Sequence, residues 1–140
     1  MKIYQKEISL KPRKRGFHLI TDEILENINE LSDFKNGIAN FFIKHTSASL
    51  SINENADPTV RHDMEKFFNE VVPEELDFYK HTQEGTDDMT SHIKVTIIGA
   101  SINIPVKDGR FNLGAWQGIY LCEHRNNGGT RNVVVTLYGE

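Results

Sequence analysis

Two histidines and three carboxylates lie within twelve consecutive residues of this 140-residue chain, between His81 and His92. The segment reads H-T-Q-E-G-T-D-D-M-T-S-H, so its acidic residues are Glu84, Asp87 and Asp88, and it contains almost nothing apolar. Neutral imidazole and carboxylate groups together are what a divalent metal ion or an acid–base site requires. The segment therefore predicts a functional site rather than a purely structural loop.

The spacing inside this segment favours a metal site if residues 88–99 form a helix. Asp88 and His92 are then four positions apart and share one helix face. His81 lies a short loop upstream, where Gly85 permits a tight bend. Two histidines and one carboxylate can bind zinc or a similar divalent ion and leave a coordination position open. Histidine–carboxylate pairs also stabilise loops without a metal, so the spacing alone leaves both interpretations open.

A second polar cluster reads H-T-S-A-S-L-S-I-N-E-N-A-D over residues 45–57. His45 ends a strand of buried character, where functional sites commonly lie, and Asn53 and Glu54 lie in the connection to a helix. The N-terminus of that helix would favour an anion such as phosphate. Residue type alone does not distinguish a functional His45 from a structural one, whereas Asp57 is better explained as a helix N-cap.

A third cluster contains Trp116, Gln117, Glu123 and Arg125. Arg125 can hold a carboxylate or a phosphate through two hydrogen bonds. On a strand, Glu123 and Arg125 point to the same face, so they could equally form a structural network. A tryptophan such as Trp116 is more often a core residue than a stacking platform.

The composition excludes several classes of function. Charged residues make up 26% of the chain and the net charge is −4, which gives no overall attraction to nucleic acid. The one basic run, residues 11–15, is best explained as a solvated loop, with an anion-contacting arm as the alternative. Cys122 is the only cysteine, so no intrachain disulfide can form. No apolar run approaches the roughly 18 residues of a membrane span, and a cytoplasmic location is expected by default.

Hydrophobic periodicity predicts one α+β domain over residues 1–140. We expect a mixed, largely antiparallel β-sheet with two to three helices packed on one side. The helices are predicted from Thr21 to about residue 31, from Pro58 to residue 72 with Asp57 as N-cap, and over residues 89–98, where a strand is the alternative. The predicted strands are 2–10, 17–20, 37–44, 48–52, 101–106, 111–113, 118–124 and 132–138. We expect the strand at 48–52 to pair with the strand at 37–44.

Three stretches of the chain together resemble the YjbQ-type family, also called the secondary thiamine-phosphate synthase family. They are the cluster at 45–57, H-T-Q-E-G-T-D-D-M-T-S-H-I-K at 81–94, and L-G-A-W-Q-G-I-Y-L-C-E-H-R at 113–125. The resemblance covers nearly the whole chain and ends on V-V-V-T-L-Y-G-E. Thr90 replaces the family's usual proline after D-D-M, which should matter little to a site.

The resemblance implies a compact α+β fold, a homotrimer, and polar sites near subunit boundaries. It also implies a weak thiamine-phosphate synthase activity, which joins a pyrimidine diphosphate to a thiazole phosphate. Carried over by motif, the predicted metal ligands are His45, His81 and His92. The predicted catalytic residues are His45, Glu54, Asp88 and Arg125. The predicted substrate-binding residues are Asn53, Glu84, Trp116, Gln117 and Glu123.

These observations lead us to expect a small-molecule enzyme, a transferase, whose three clusters converge on one pocket. The pocket would hold a divalent metal, with zinc the best match and magnesium suited to a diphosphate substrate, and Arg125 would neutralise substrate phosphate. The alternatives are a non-catalytic protein that binds a metal or a phosphorylated ligand, and a metal-dependent hydrolase. The expected partners are a phosphorylated small molecule and further copies of the chain, with no nucleic acid and no membrane.

Overall fold

The computed structural model describes residues 1–140 and contains eight strands, three α-helices and a short 3-10 helix, Asn29–Asp33. The strands are β1 (Lys2–Leu10), β2 (Gly16–Leu19), β3 (Asn36–Ile43), β4 (Ala48–Glu54), β5 (Ser101–Lys107), β6 (Arg110–Phe111), β7 (Gln117–Glu123) and β8 (Arg131–Gly139). The helices are α1 (Thr21–Asn27), α2 (Pro58–Val71) and α3 (Thr86–Ile98).

The strands form two antiparallel sheets rather than the single mixed sheet that we expected. The larger sheet has the order β1-β8-β3-β5-β6, and the smaller has the order β2-β7-β4. Alternating apolar residues from both sheets meet in one core of 19 buried residues, for which Leu50, Leu121 and Val135 are typical. Each such side chain contributes about 1.5–3 kcal/mol by leaving water. The predicted α+β class and single domain are confirmed.

Helices α2 and α3 cover the outer face of the smaller sheet, against β2 and β4 respectively. Phe17 of β2 stacks on Phe68 of α2 with ring centroids 5.8 Å apart, and Tyr120 and Cys122 of β7 complete this second core. Asp57 caps α2 as predicted, because its carboxylate accepts a hydrogen bond from the Thr59 N–H at 2.9 Å. The longest helix has 14 residues, and no helix could cross a membrane.

Two predictions about local structure are wrong. Strand β4 pairs with β7 and not with β3, because β3 lies between β5 and β8 in the other sheet. Thr21 does not cap α1, since its hydroxyl accepts a hydrogen bond from the Ile119 N–H at 2.9 Å. In both cases a distant part of the chain supplies the partner, and a local pattern cannot reveal it.

A buried ion pair joins the two sheets at one end. Arg131 at the start of β8 donates from Nε to Glu123 Oε1 at 2.7 Å and from Nη2 to Glu123 Oε2 at 2.6 Å, and Glu123 ends β7. The same guanidinium donates to Ser47 Oγ at 2.9 Å. A Cβ on Gly128 would lie 2.2 Å from Glu123 Oε1, so only glycine fits against this pair.

His124 is buried between the smaller sheet and its helices, with Nε2 2.8 Å from Ser49 Oγ. Burial, followed by the positive charge of Lys94, lowers the pKa of His124 to about 3. The folded protein therefore keeps this imidazole neutral at pH values where an unfolded chain, with a histidine pKa of about 6.5, binds a proton. The unfolded state is favoured progressively as the pH falls from about 6.5 towards 3.

Replacing His124 with glutamine should reduce the loss of stability on acidification, because the proton uptake by the unfolded state is removed. From this residue we expect the wild-type protein to lose on the order of 2–3 kcal/mol between about pH 7 and pH 4. Urea unfolding of both proteins across this range measures the difference. His62→Gln is the matched control, since the His62 side chain is 65% exposed. Parallel pH profiles for wild type and His124→Gln would contradict the assignment.

Candidate metal centre

His81, Asp88 and His92 converge on one point, and one ligand atom from each lies within 4.8 Å of the others. Asp88 Oδ2 is 2.6 Å from His81 Nε2 and 3.1 Å from His92 Nε2. The Asp88 side chain is only 4% exposed, whereas those of His92 and His81 are 30% and 46% exposed. The cluster therefore has a buried base and a side that is open to solvent.

Helix α3 positions two of these three side chains. It begins after Gly85, so Asp87 and Asp88 lie in its first turn, where the helix dipole favours negative charge. Asp88 and His92 are one helical turn apart and meet on the same face, as their spacing predicts. The predicted helix is confirmed, and it starts at Thr86 rather than Met89.

The orientation of the His92 ring determines what can occupy the cluster. His92 Nδ1 lies 2.7 Å from the Thr46 carbonyl oxygen, which can only accept a hydrogen bond, so Nδ1 carries a proton. In neutral His92, Nε2 then directs a lone pair at the Asp88 carboxylate. This contact is favourable only when a cation lies between them, either a proton on Nε2 or a metal ion.

Arg125 holds both aspartates from the opposite side. It donates from Nη1 to Asp88 Oδ1 at 2.5 Å, from Nε to Asp87 Oδ2 at 3.0 Å, and from Nη2 to the Glu84 carbonyl at 2.9 Å. Burial by itself would raise the pKa of Asp88, but the hydrogen bonds to His81 and His92 and the positive charge of Arg125 outweigh it. The pKa of Asp88 therefore lies below its usual range, which keeps the carboxylate ionised.

The loop that carries His81 is fixed through Glu74. Its carboxylate accepts hydrogen bonds from Arg15 and, at 3.0 Å, from the Thr86 hydroxyl at the start of α3. The hydrogen bond from Arg15 is the main cause of the lowered pKa of Glu74. A small cavity of about 80 Å³ lies beside His81, lined among others by Glu74, Tyr79 and Thr86.

The structure does not bring His45 to the other two histidines. His45 Nε2 accepts a hydrogen bond from the Asn132 N–H at 2.8 Å, and Nδ1 lies 3.3 Å from an Arg131 nitrogen. Burial and the charge of Arg131 lower the pKa of His45. The prediction of three histidine ligands is corrected accordingly, because Asp88 occupies the third position and the Nε2 atom of His45 is already engaged.

Four predicted residues lie at the opposite end of the smaller sheet. β4 pairs with β7 from Ala48 opposite Glu123 to Glu54 opposite Gln117, so the two ends are roughly 20 Å apart. Asn53, Glu54 and Gln117 there accept hydrogen bonds from nearby backbone N–H groups, and Trp116 is 69% exposed. Within one chain, the expected convergence of three clusters on one pocket is therefore wrong.

The two remaining substrate-binding predictions have different outcomes. Glu123 is fully buried, and its carboxylate accepts hydrogen bonds from Arg131 and the Arg125 N–H, so no surface remains for a substrate. That prediction is wrong, because the residue serves the structural alternative. Glu84 is exposed near the centre and contacts Arg125 through its carbonyl oxygen.

Sequence reasoning missed three residues that position the site: Thr46, Glu74 and Arg131. The Thr46 contribution is a backbone carbonyl, which no residue type could signal. Arg131 was detectable, because it is in phase with the buried Val133, Val135 and Leu137 on the inner face of β8. A cation in register with a core stripe indicates a buried partner, which is Glu123 here.

Comparison with known proteins identifies the family of the chain. The family model described as UPF0047 protein YjbQ-like matches residues 6–140. A UPF0047 protein YjbQ from Escherichia coli is 51% identical over 98% of this chain and 99% of its own length. A UPF0047 protein from Synechocystis is 39% identical over 98% of this chain and 92% of its own length.

Solved structures agree with this result. A crystal structure from Clostridium acetobutylicum, of an uncharacterized conserved protein of the yjbq/upf0047 family, has a TM-score of 0.83 at 36% identity and covers 95% of this chain and 99% of that one. A YbjQ-like protein of unknown function from Sulfolobus solfataricus has a TM-score of 0.87 at 26% identity and covers 99% of each chain. The chain belongs to the family of UPF0047 YjbQ-like proteins.

Proposed function

We propose that this protein is a metal-dependent enzyme that acts on a small molecule at His81, Asp88 and His92. One observation carries the proposal: the hydrogen bond from His92 Nδ1 to Thr46 leaves the Nε2 lone pair facing the Asp88 carboxylate. The lone pair and the carboxylate repel each other, and a divalent cation between them attracts both. The contact then becomes favourable without a proton on His92 Nε2. The partly open face of the cluster suits an ion that must also meet a substrate.

The residues present fit such an ion. Two imidazoles and a carboxylate are a common ligand set for catalytic zinc, and the same set also binds non-haem iron. Zinc remains the best match, and a bound divalent ion would polarise a substrate oxygen as a Lewis acid. Magnesium fits less well at these histidines, because it prefers oxygen ligands.

The surrounding residues have defined tasks in this proposal. Thr46 fixes the His92 ring and thereby presents Nε2 to the ion. Arg125 keeps Asp88 ionised and aligned, and each of its three guanidinium nitrogens already contacts a protein oxygen. We therefore assign Arg125 to positioning of the aspartates rather than to neutralisation of substrate phosphate, which revises its expected role.

The reaction that we propose for testing is the thiamine-phosphate synthase-type transfer implied by the family resemblance. In that reaction a pyrimidine diphosphate loses diphosphate and a carbon–nitrogen bond forms to a thiazole phosphate. A centre that stabilises negative charge on oxygen suits the departing diphosphate. The homotrimer belongs to the same proposal, since the far-end residues Asn53, Glu54, Trp116 and Gln117 could reach the centre only from a second copy.

Removing the histidines should abolish metal binding. We expect purified wild-type protein, loaded with zinc and dialysed, to retain about one ion per chain, and His81→Ala with His92→Ala to retain almost none. Elemental analysis measures the content, and circular dichroism checks that the variant is folded. His62→Ala is the matched control, because that histidine is exposed and is not part of the cluster of possible metal ligands. Equal zinc content in all three proteins would contradict the proposed ligands.

Removing Arg125 should weaken zinc binding and shift its pH dependence. Without the guanidinium, the pKa of Asp88 rises towards its usual value, so protons compete with zinc at higher pH. We expect a roughly 10–100-fold weaker affinity for Arg125→Ala, as for other residues that support metal ligands. Zinc titrations between about pH 4 and pH 7 measure both effects. Arg110→Ala, at an exposed hairpin, is the control, and an unchanged profile for Arg125→Ala would refute the role.

Turnover decides between the enzyme and a protein that only binds metal. Zinc-loaded wild-type protein is incubated with the pyrimidine diphosphate and the thiazole phosphate, and thiamine phosphate and diphosphate are quantified. We expect both products in equal amounts, and none above background with the double histidine variant. Tight zinc binding with no product would favour the binding protein. Release of inorganic phosphate without coupling would favour the hydrolase.

A further inference from the structure

A polar cleft lies beside the metal centre, between the basic segment at residues 12–14 and the turn at residues 126–129. Its volume is about 410 Å³, and no hydrophobic side chain lines it apart from the ring of Pro12. The turn follows Arg125 directly in sequence. A cleft of this size beside an active centre could hold a polar part of a substrate.

The cleft carries an excess of positive charge. Arg13 forms an ion pair with Glu23 at 2.6 Å, so its charge is largely compensated. Lys14 is exposed and its ammonium group contacts no carboxylate. No acidic side chain lines the cleft. The cleft therefore has one uncompensated cation, and the two carboxylates behind the turn, Asp87 and Glu123, are paired with Arg125 and Arg131.

The turn also offers two free hydrogen-bond donors. The backbone N–H groups of Asn127 and Gly129, which both line the cleft, donate to no acceptor in the protein, whereas the Arg125 and Asn126 N–H groups donate to Glu123 and Asp87. Gly129 has a φ of 71°, in the left-handed region. Backbone N–H groups on a turn with a left-handed residue form a concave surface that can bind an anion.

The turn is held in place before any ligand arrives. The Asn126 N–H donates to Asp87 Oδ2 at 2.8 Å, which fixes its first residue. Gly128 packs directly against the buried Glu123 carboxylate, so the middle of the turn rests on the ion pair and cannot move towards it. A preformed set of donors binds an anion without an added ordering cost.

We propose that this cleft binds a phosphate group of the substrate, through Lys14 and the backbone N–H groups of Asn127 and Gly129. The inference rests on the proposed function, because it assigns a phosphorylated substrate to the adjacent metal centre. Asp87 connects the two regions, since it accepts hydrogen bonds from both Asn126 and Arg125, and Arg125 contacts Asp88. The guanidinium of Arg125 already contacts protein oxygens, so we assign phosphate binding to the cleft instead of to Arg125.

Inorganic phosphate titrated into isotopically labelled, metal-free protein tests the inference by nuclear magnetic resonance. We expect the amide resonances of Asn127 and Gly129 to shift and saturate, and Lys14→Ala to weaken the apparent affinity roughly tenfold through loss of one charged hydrogen bond. Lys66→Ala is the matched control, because Lys66 is an exposed, unpaired lysine on α2. Acetate should produce a weaker response, since it lacks the tetrahedral set of oxygens.

Two results would overturn the inference: no saturable shift at Asn127 and Gly129 in wild-type protein, or equal phosphate affinity in wild type, Lys14→Ala and Lys66→Ala. A response to acetate as strong as that to phosphate would overturn the assignment to a phosphate group. Separate samples of the same proteins are loaded with zinc, dialysed and analysed for zinc content. Loss of phosphate binding with zinc binding unchanged separates failure of the cleft from failure of the metal centre, because Lys14, Asn127 and Gly129 are not among the proposed ligands.

Discussion

The ion pair between Arg131 and Glu123 is the contact on which both the fold and the site depend. It joins the last residue of β7 to the first residue of β8, which belong to different sheets. Both side chains are buried, so removal of either partner would leave an uncompensated charge and cost about 3–5 kcal/mol. The pair also orders the loops at the ends of β4 and β7, because the Ser47 hydroxyl and the Arg125 backbone N–H form hydrogen bonds with it.

Short stretches of chain connect this ion pair to the metal centre. Arg125 comes two residues after Glu123, and its guanidinium fixes the two aspartates in the first turn of α3. Thr46 lies next to Ser47, and its carbonyl orients His92 one turn further along the same helix. The centre therefore uses two loops that the buried pair holds together, and only His81 arrives from a separate loop fixed by Glu74.

Local features of the fold were predictable because local physics determines them. The strand at residues 2–10, the N-cap at Asp57 and the meeting of Asp88 with His92 depend on periodicity, capping and helical spacing. The partner of β4, the role of His45 and the burial of Glu123 were not predictable from local patterns. Each of them depends on which distant strand lies alongside, and the division into two sheets has no local signal.

Helix α3 shows most clearly why periodicity was an incomplete guide. Its buried residues are all polar, and they include Asp87, Asp88 and Lys94, while Ile97 is exposed. Burial lowers the pKa of Lys94, whose ammonium donates to Asn69 Oδ1 at 3.0 Å. A helix that turns its charged side inward is positioned by hydrogen bonds and ion pairs rather than by an apolar stripe.

The contact between Gly128 and Glu123 has a consequence for how this molecule can vary. The bare Cα at position 128 lets the turn lie directly on the bridge between the sheets, so the floor of the proposed phosphate cleft rests on the contact that closes this end of the two sheets. Lys14 can be replaced without harm to the fold. A larger residue at Gly128 would require a change in the Glu123–Arg131 ion pair that it contacts.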